Sequence, residues 1–141
     1  MSTRTDTTRF DLALAVLRVL VGVVFLAHGG QKLFVYGFAG VQQAFGGMGI
    51  PAAAITGPLV ALVEFFGGLA LVAGLLTRLA GLGLAVIMIG AIAFVHLAAG
   101  FFGPQGMEFP LTLLATTVTF ALAGAGRYSL DHAIALRRAA R

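Results

Sequence analysis

The sequence predicts an all-α membrane protein: a four-transmembrane-helix bundle with a short interfacial helix between spans one and two and a cytoplasmic C-terminal amphipathic segment. Three observations carry that prediction. Of the 141 residues, 60% are hydrophobic and only 10% are charged, a balance that soluble domains do not have. The apolar residues fall into four runs, near 12–34, 57–76, 79–99 and 110–125, most of them close to the ~20 residues that cross a bilayer as helix. The arginines gather at run ends that four crossings would bring to one side. The chain reads as a single domain over residues 1–141, with none of the alternation of a β-barrel.

Run one holds Arg18, His28 and Lys32. An arginine inside the apolar stretch, with no small-x-small site after it, argues for a membrane span over a cleaved leader. Residues Arg18, Gly22, Phe25, Gly29 and Lys32 follow a seven-residue rhythm that forms one seam, and His28 lies beside Lys32 around the helix. About twenty residues separate runs one and two, too many for a bare turn. There Phe38, Val41, Phe45 and Met48 recur at helical spacing with Gln42 and Gln43 on another face, the pattern of a short surface helix.

Run two carries a single carboxylate, Glu64, and Pro58 is expected in its first turn, where a missing N–H costs nothing. Gly57, Ala61, Gly67 and Gly68 surround the Glu64 face, and small residues mark close helix approach, so Glu64 should point inward. A tight turn is expected at Thr77-Arg78. Run three carries His96. After a connection rich in phenylalanine around Gly103-Pro104 comes run four, rich in threonines able to bond back to the helix. Residues 127–141 are too polar to span; Ser129 is placed to cap a short helix with Leu130, Ala133 and Ile134 on its apolar face.

Four spans put Arg4, Arg9, Arg78, Arg127, Arg137, Arg138 and Arg141 on one side and only Lys32 on the other, which predicts both termini in the cytoplasm. The net charge of +4 is therefore a matter of topology and anionic headgroups rather than nucleic acid, which would need a basic stripe on a soluble surface. The absence of cysteine excludes a disulfide framework, a thiolate metal site, an iron–sulfur cluster and a dithiol relay within the chain.

Ionisable groups in hydrocarbon are costly and need a partner or a wet pocket. By depth, His28, Lys32, Glu64, His96 and Glu108 all belong to the outer half and are the candidate ligand-binding cluster. Glu64 has two readings, a structural pair with Lys32 or a histidine and a functional acid. Lys32 at a span end can also snorkel. Arg18, near the cytoplasmic side, is a candidate ion pair with Asp131. His28 and His96 could in principle ligate haem, or a metal together with Glu64, but no matched helical motif accompanies them; hydrogen-bonded histidines and no metal are expected.

The order and spacing of Leu17-Arg18, Gly22, Phe25, His28-Gly29, Lys32-Leu33, Glu64, Gly67-Gly68, residues 74–78 and residues 126–131 resemble the DoxX family of small bacterial membrane proteins, across almost the whole chain. The resemblance implies a four-helix membrane fold and an association with redox processes, since related proteins include a subunit of a thiosulfate:quinone oxidoreductase and components linked to oxidative stress. It brings no agreed catalytic residues. Ala125 departs from the Gly-Pro-Gly turn of many relatives. The functional expectation is a membrane component of a redox or oxidative-stress system that binds a quinone-like small molecule in the outer half of the bundle. Alternatives are a non-catalytic scaffold for cytoplasmic or membrane redox proteins and a small oligomeric transporter. Expected partners are the lipid bilayer, such redox proteins and further copies of the chain.

Overall fold

The computed structural model describes residues 3–141, with side chains from Asp6 onward; Arg4, one of the charges counted for topology, lies outside the described side chains. Every regular element among the described residues is helical. Helix α1 (Thr3–Gly30) runs into a π-helical turn (Gln31–Tyr36), and α2 (Gly37–Gly47) follows at once. Next come α3 (Ala53–Ala73), α4 (Thr77–Ala91) with a π-helical turn (Ile92–His96) and a short 3₁₀ segment (Leu97–Ala99), α5 (Glu108–Ala123) and α6 (Leu130–Ala139).

Three stretches are long and apolar enough to cross a membrane: Asp6–Gly47, Ala53–Ala73 and Thr77–Ala99. The expected fourth span is an apolar helix of 16 residues, about 24 Å of rise and short of the usual length. The long connection expected between runs one and two is nearly all helix. Its direction changes at Gly37, whose φ of 67° suits a residue without Cβ.

Helices α1, α3, α4 and α5 run up, down, up, down. Glycines set the spacing between α1 and α3. A Cβ on Gly29 would lie 2.3 Å from the Phe65 backbone nitrogen, and one on Gly68 would lie 2.4 Å from that of Leu26. The helices therefore touch backbone to backbone, as the small-residue pattern predicted. Gly81 does the same for α4 against the Thr117 carbonyl of α5, at 2.8 Å. Between these pairs lies a core of Leu14, Val21, Phe25, Leu71, Leu84, Met88, Leu113 and Phe120. Thr117 is fully buried, and its hydroxyl donates to the Leu113 and Leu114 carbonyls.

Two local expectations are corrected. Pro58 stands one turn inside α3, not in its first turn. Its missing N–H leaves the Ala54 carbonyl without the i+4 donor, and the Gln42 side chain of α2 supplies the bond at 3.1 Å. The turn between α3 and α4 occupies residues 74–76, ahead of Thr77-Arg78, with Gly74 at φ 68° and Leu76 at φ 50°. Asp131 moves it there by accepting the Leu76 and Thr77 N–H groups at 2.8 and 2.9 Å, which caps α4 from the far end of the chain. Ser129 caps α6 as expected, accepting from the His132 N–H at 3.2 Å.

Candidate functional site

A cavity of about 490 Å³ opens among α1, α3, α4 and α5. His28 and Lys32 come to it from α1 and its π turn, Glu64 from α3, and His96 from the π turn that ends α4. An α-helix that widens to i→i+5 bonding takes in an extra residue and turns the following side chains, which is why such turns recur at functional positions. Here one π turn carries Lys32 and the other carries His96.

Lys32 Nζ donates to Glu64 Oε2 at 2.5 Å. The carboxylate side chain is 6% exposed and the ammonium side chain 20%, so the pair sits at the edge of the interior with Glu64 on the inner side. His96 Nδ1 lies 2.7 Å from the Gln105 carbonyl. A carbonyl only accepts, so Nδ1 carries the hydrogen, and in the neutral ring Nε2 is the acceptor. That bond also ties the connection before α5 to the cavity wall. His28 is exposed and faces the Phe109 ring at a centroid distance of 6.3 Å. The remaining walls are mainly apolar, with Phe25, Met88, Phe94 and Leu113 among them.

Of the five residues expected to cluster, His28, Lys32, Glu64 and His96 share this one cavity. Glu108 does not line it; it is exposed at the first turn of α5. The sequence reading missed the part played by α2: Phe45 and Met48, assigned to a surface helix, line the cavity, and Val41 is buried against Gly57. The glycine at 57, two turns before Glu64 on the same buried face of α3, was the available signal for that docking. No group of three or more metal-ligating side chains occurs among the described residues.

The Arg18 and Asp131 pair takes a different form from two partners in direct contact. Arg18, 2% exposed, donates through Nη1 to the Leu71 and Val72 carbonyls at the end of α3 and through Nη2 to the Tyr128 carbonyl at 2.7 Å. Asp131 lies within Coulombic reach of it while capping α4. The two charges thus hold the same corner through backbone groups. Asp11, not singled out from sequence, is buried nearby and accepts the Arg127 N–H at 3.2 Å. An acid just ahead of a long apolar run was the only trace of it in the sequence.

The sequence profile of the DoxX family matches residues 13–97, from the first helix through His96. The chain belongs to the DoxX family. It is 37% identical over 122 residues to the Bacillus subtilis protein named "Putative oxidoreductase CatD", covering 86% of this chain and 87% of that one. It is 36% identical over 135 residues to the membrane protein Rv3486 of Mycobacterium tuberculosis, covering 88% and 82%. With the inner membrane protein YqjF of Escherichia coli it shares 35% over 123 residues, covering 86% and 91%. No solved structure matches the chain. This DoxX protein is accordingly a membrane protein, in keeping with its long apolar helices.

Proposed function

We propose that this DoxX protein is the membrane component of a redox or oxidative-stress system and holds a quinone-like carbonyl compound in the cavity beside Lys32 and Glu64. The observation that carries this reading is the meeting of four titratable side chains, His28, Lys32, Glu64 and His96, in one mainly apolar cavity. A volume of about 490 Å³ is within the range of small-molecule sites. The ring of a quinone suits apolar walls, and its oxygens need hydrogen-bond donors. Lys32 supplies donors directly, and Glu64 and His28 can hold and pass protons at the polar end. With no cysteine in the chain, the electrons belong to a partner's carrier or to a bound prosthetic group. The oxidoreductase name of the B. subtilis relative agrees with this reading.

In the proposed arrangement α1, α3, α4 and α5 are the four spans, α2 lies at the outer surface, and both termini face the cytoplasm. The end of the bundle carrying Arg78 and Arg127 is then inside, in keeping with the excess of arginine there. A scaffold reading keeps one observation of its own: α6 exposes Leu130 and Leu136 beside Arg137 and Arg138, a surface able to receive a cytoplasmic redox enzyme.

The test is to purify the protein in mild detergent and to identify extracted small molecules by absorption and mass spectrometry. A quinone carried by wild type and lost from Glu64→Gln supports the cavity reading. A ligand-free protein that retains a cytoplasmic enzyme, and releases it when residues 127–141 are removed, overturns it in favour of the scaffold.

A further inference from the structure

We propose that the opposite end of the bundle carries a second site, for a phospholipid headgroup that joins a phosphate to a primary ammonium. An open cavity of about 590 Å³ lies where α4 begins, α5 ends and α6 begins. Its walls hold Arg78, Arg127 and His132, and also Asp11 and Asp131. The two carboxylates differ. Both oxygens of Asp131 are committed to the Leu76 and Thr77 N–H groups. Asp11 is 7% exposed, and while its Oδ1 accepts the Arg127 N–H, its Oδ2 has no partner among the described residues. A buried carboxylate oxygen in that condition calls for a donor, and a cationic one most of all. The fully buried Thr77 hydroxyl in the same wall is also unpartnered among the described residues.

The opposite charge is built in as well. In the first turn of α4 the Thr77 N–H is taken by Asp131, but the N–H groups of Arg78 and Leu79 have no acceptor within the helix. A helix start with an arginine on it favours an anion such as phosphate. The two charges stand at different ends of the 124–126 turn. A Cβ on Gly124 would lie 3.2 Å from Arg78 Nε, and one on Gly126 would lie 3.3 Å from Asp11 Oδ1. A ligand with separated charges fits this better than a simple anion, which Asp11 would repel.

That the ligand is a lipid rather than a free phosphate ester follows from the neighbouring surface. Leu76 and Leu79 line the same cavity and are 60% and 65% exposed, at the level where the apolar helices end. Acyl chains have apolar surface to lie on directly beside the charged pocket. The inference is independent of the redox reading and of which face of the membrane this end meets.

The experiment is native mass spectrometry of the detergent-purified protein titrated separately with dioleoyl phosphatidylethanolamine, phosphatidylcholine and phosphatidylglycerol. The ethanolamine lipid is expected to bind about tenfold more tightly than the other two, because choline offers Asp11 no N–H and glycerol offers it no cation. Asp11→Asn keeps the Oδ1 acceptor and is expected to remove that preference, whereas Arg78→Gln weakens all three lipids. Equal binding of the three lipids to wild type overturns the proposal without need of any variant, as does a preference that survives Asp11→Asn. Soluble phosphoethanolamine that displaces the lipid at equal concentration overturns the lipid assignment in favour of a free ester.

Discussion

Replacing Gly29 by alanine should separate the two most closely packed helices of the bundle. The added Cβ would lie 2.3 Å from the Phe65 nitrogen, 2.7 Å from the Phe65 Cα and 2.9 Å from the Glu64 carbonyl carbon. All three are backbone atoms, so no side chain can swing aside, and α1 must retreat from α3 by about 1 Å to restore ordinary contact. Overpacking of this kind costs about 1–3 kcal/mol, and rigid backbone on both sides sets the expectation near 3. For a chain of this size that is a fall in melting temperature of roughly 6–12 °C. The matched control is Gly47→Ala, because nothing lies within 4 Å of a Cβ there; it should be neutral or gain up to about 1 kcal/mol from helix propensity. The chain has no tryptophan and no cysteine, so the assay is circular dichroism at 222 nm in detergent rather than indole fluorescence or thiol labelling. Equal melting of the two variants would refute the claim that backbone contact at Gly29 holds the bundle together.

Three further outcomes follow from named contacts. Lys32→Met should destabilise the fold by about 3–5 kcal/mol by stranding Glu64, and the double variant Lys32→Met with Glu64→Leu should recover most of that. Recovery of the melting temperature together with loss of the extracted small molecule would separate a functional pair from a purely structural one. Gln42→Ala should cost about 1 kcal/mol by leaving the Ala54 carbonyl unpaired, but much less when combined with Pro58→Ala, which returns an N–H to that carbonyl; the readout is a thermal double-mutant cycle, and additivity would contradict it. Asp131→Ala should cost about 1–2 kcal/mol through the lost cap and loosen α6, seen as faster tryptic cleavage after Arg127; unchanged digestion would count against a tie between α6 and the start of α4.

Much of the fold was legible because the solvent dictates it. Long apolar runs in a 141-residue chain leave few architectures, and the seam of Arg18, Gly22, Phe25 and Gly29 is indeed the buried face of α1. The convergence of His28, Lys32, Glu64 and His96 could be read from depth alone, since groups at one level in a narrow bundle are never far apart. Glu108 broke that logic: at the start of a helix it shares the level of the others and still points away. What stayed hidden were contacts between polar groups far apart in sequence. Nothing local says that Gln42 repairs a carbonyl left unpaired by Pro58, or that Asp131 caps a helix that begins at Thr77. What α2 packs against was also obscured, because the spacing of Phe38, Val41, Phe45 and Met48 marks an apolar face but does not tell lipid from protein. Phe45 and Met48 therefore read as surface residues although they line the cavity.

The guanidinium of Arg18 gives the bundle an order of completion. Two of its acceptors, the carbonyls of Leu71 and Val72, lie 53 and 54 residues downstream, and the third, on Tyr128, lies 110 residues downstream. During synthesis at about 5–20 residues per second, the first helix enters the bilayer roughly 5–20 s before the last of these groups exists. Throughout that interval a charged side chain in the first span must be kept near water or lipid phosphate. The newborn chain is thus held short of its final depth by the fifth turn of α1, and the arrival of Tyr128 completes its release.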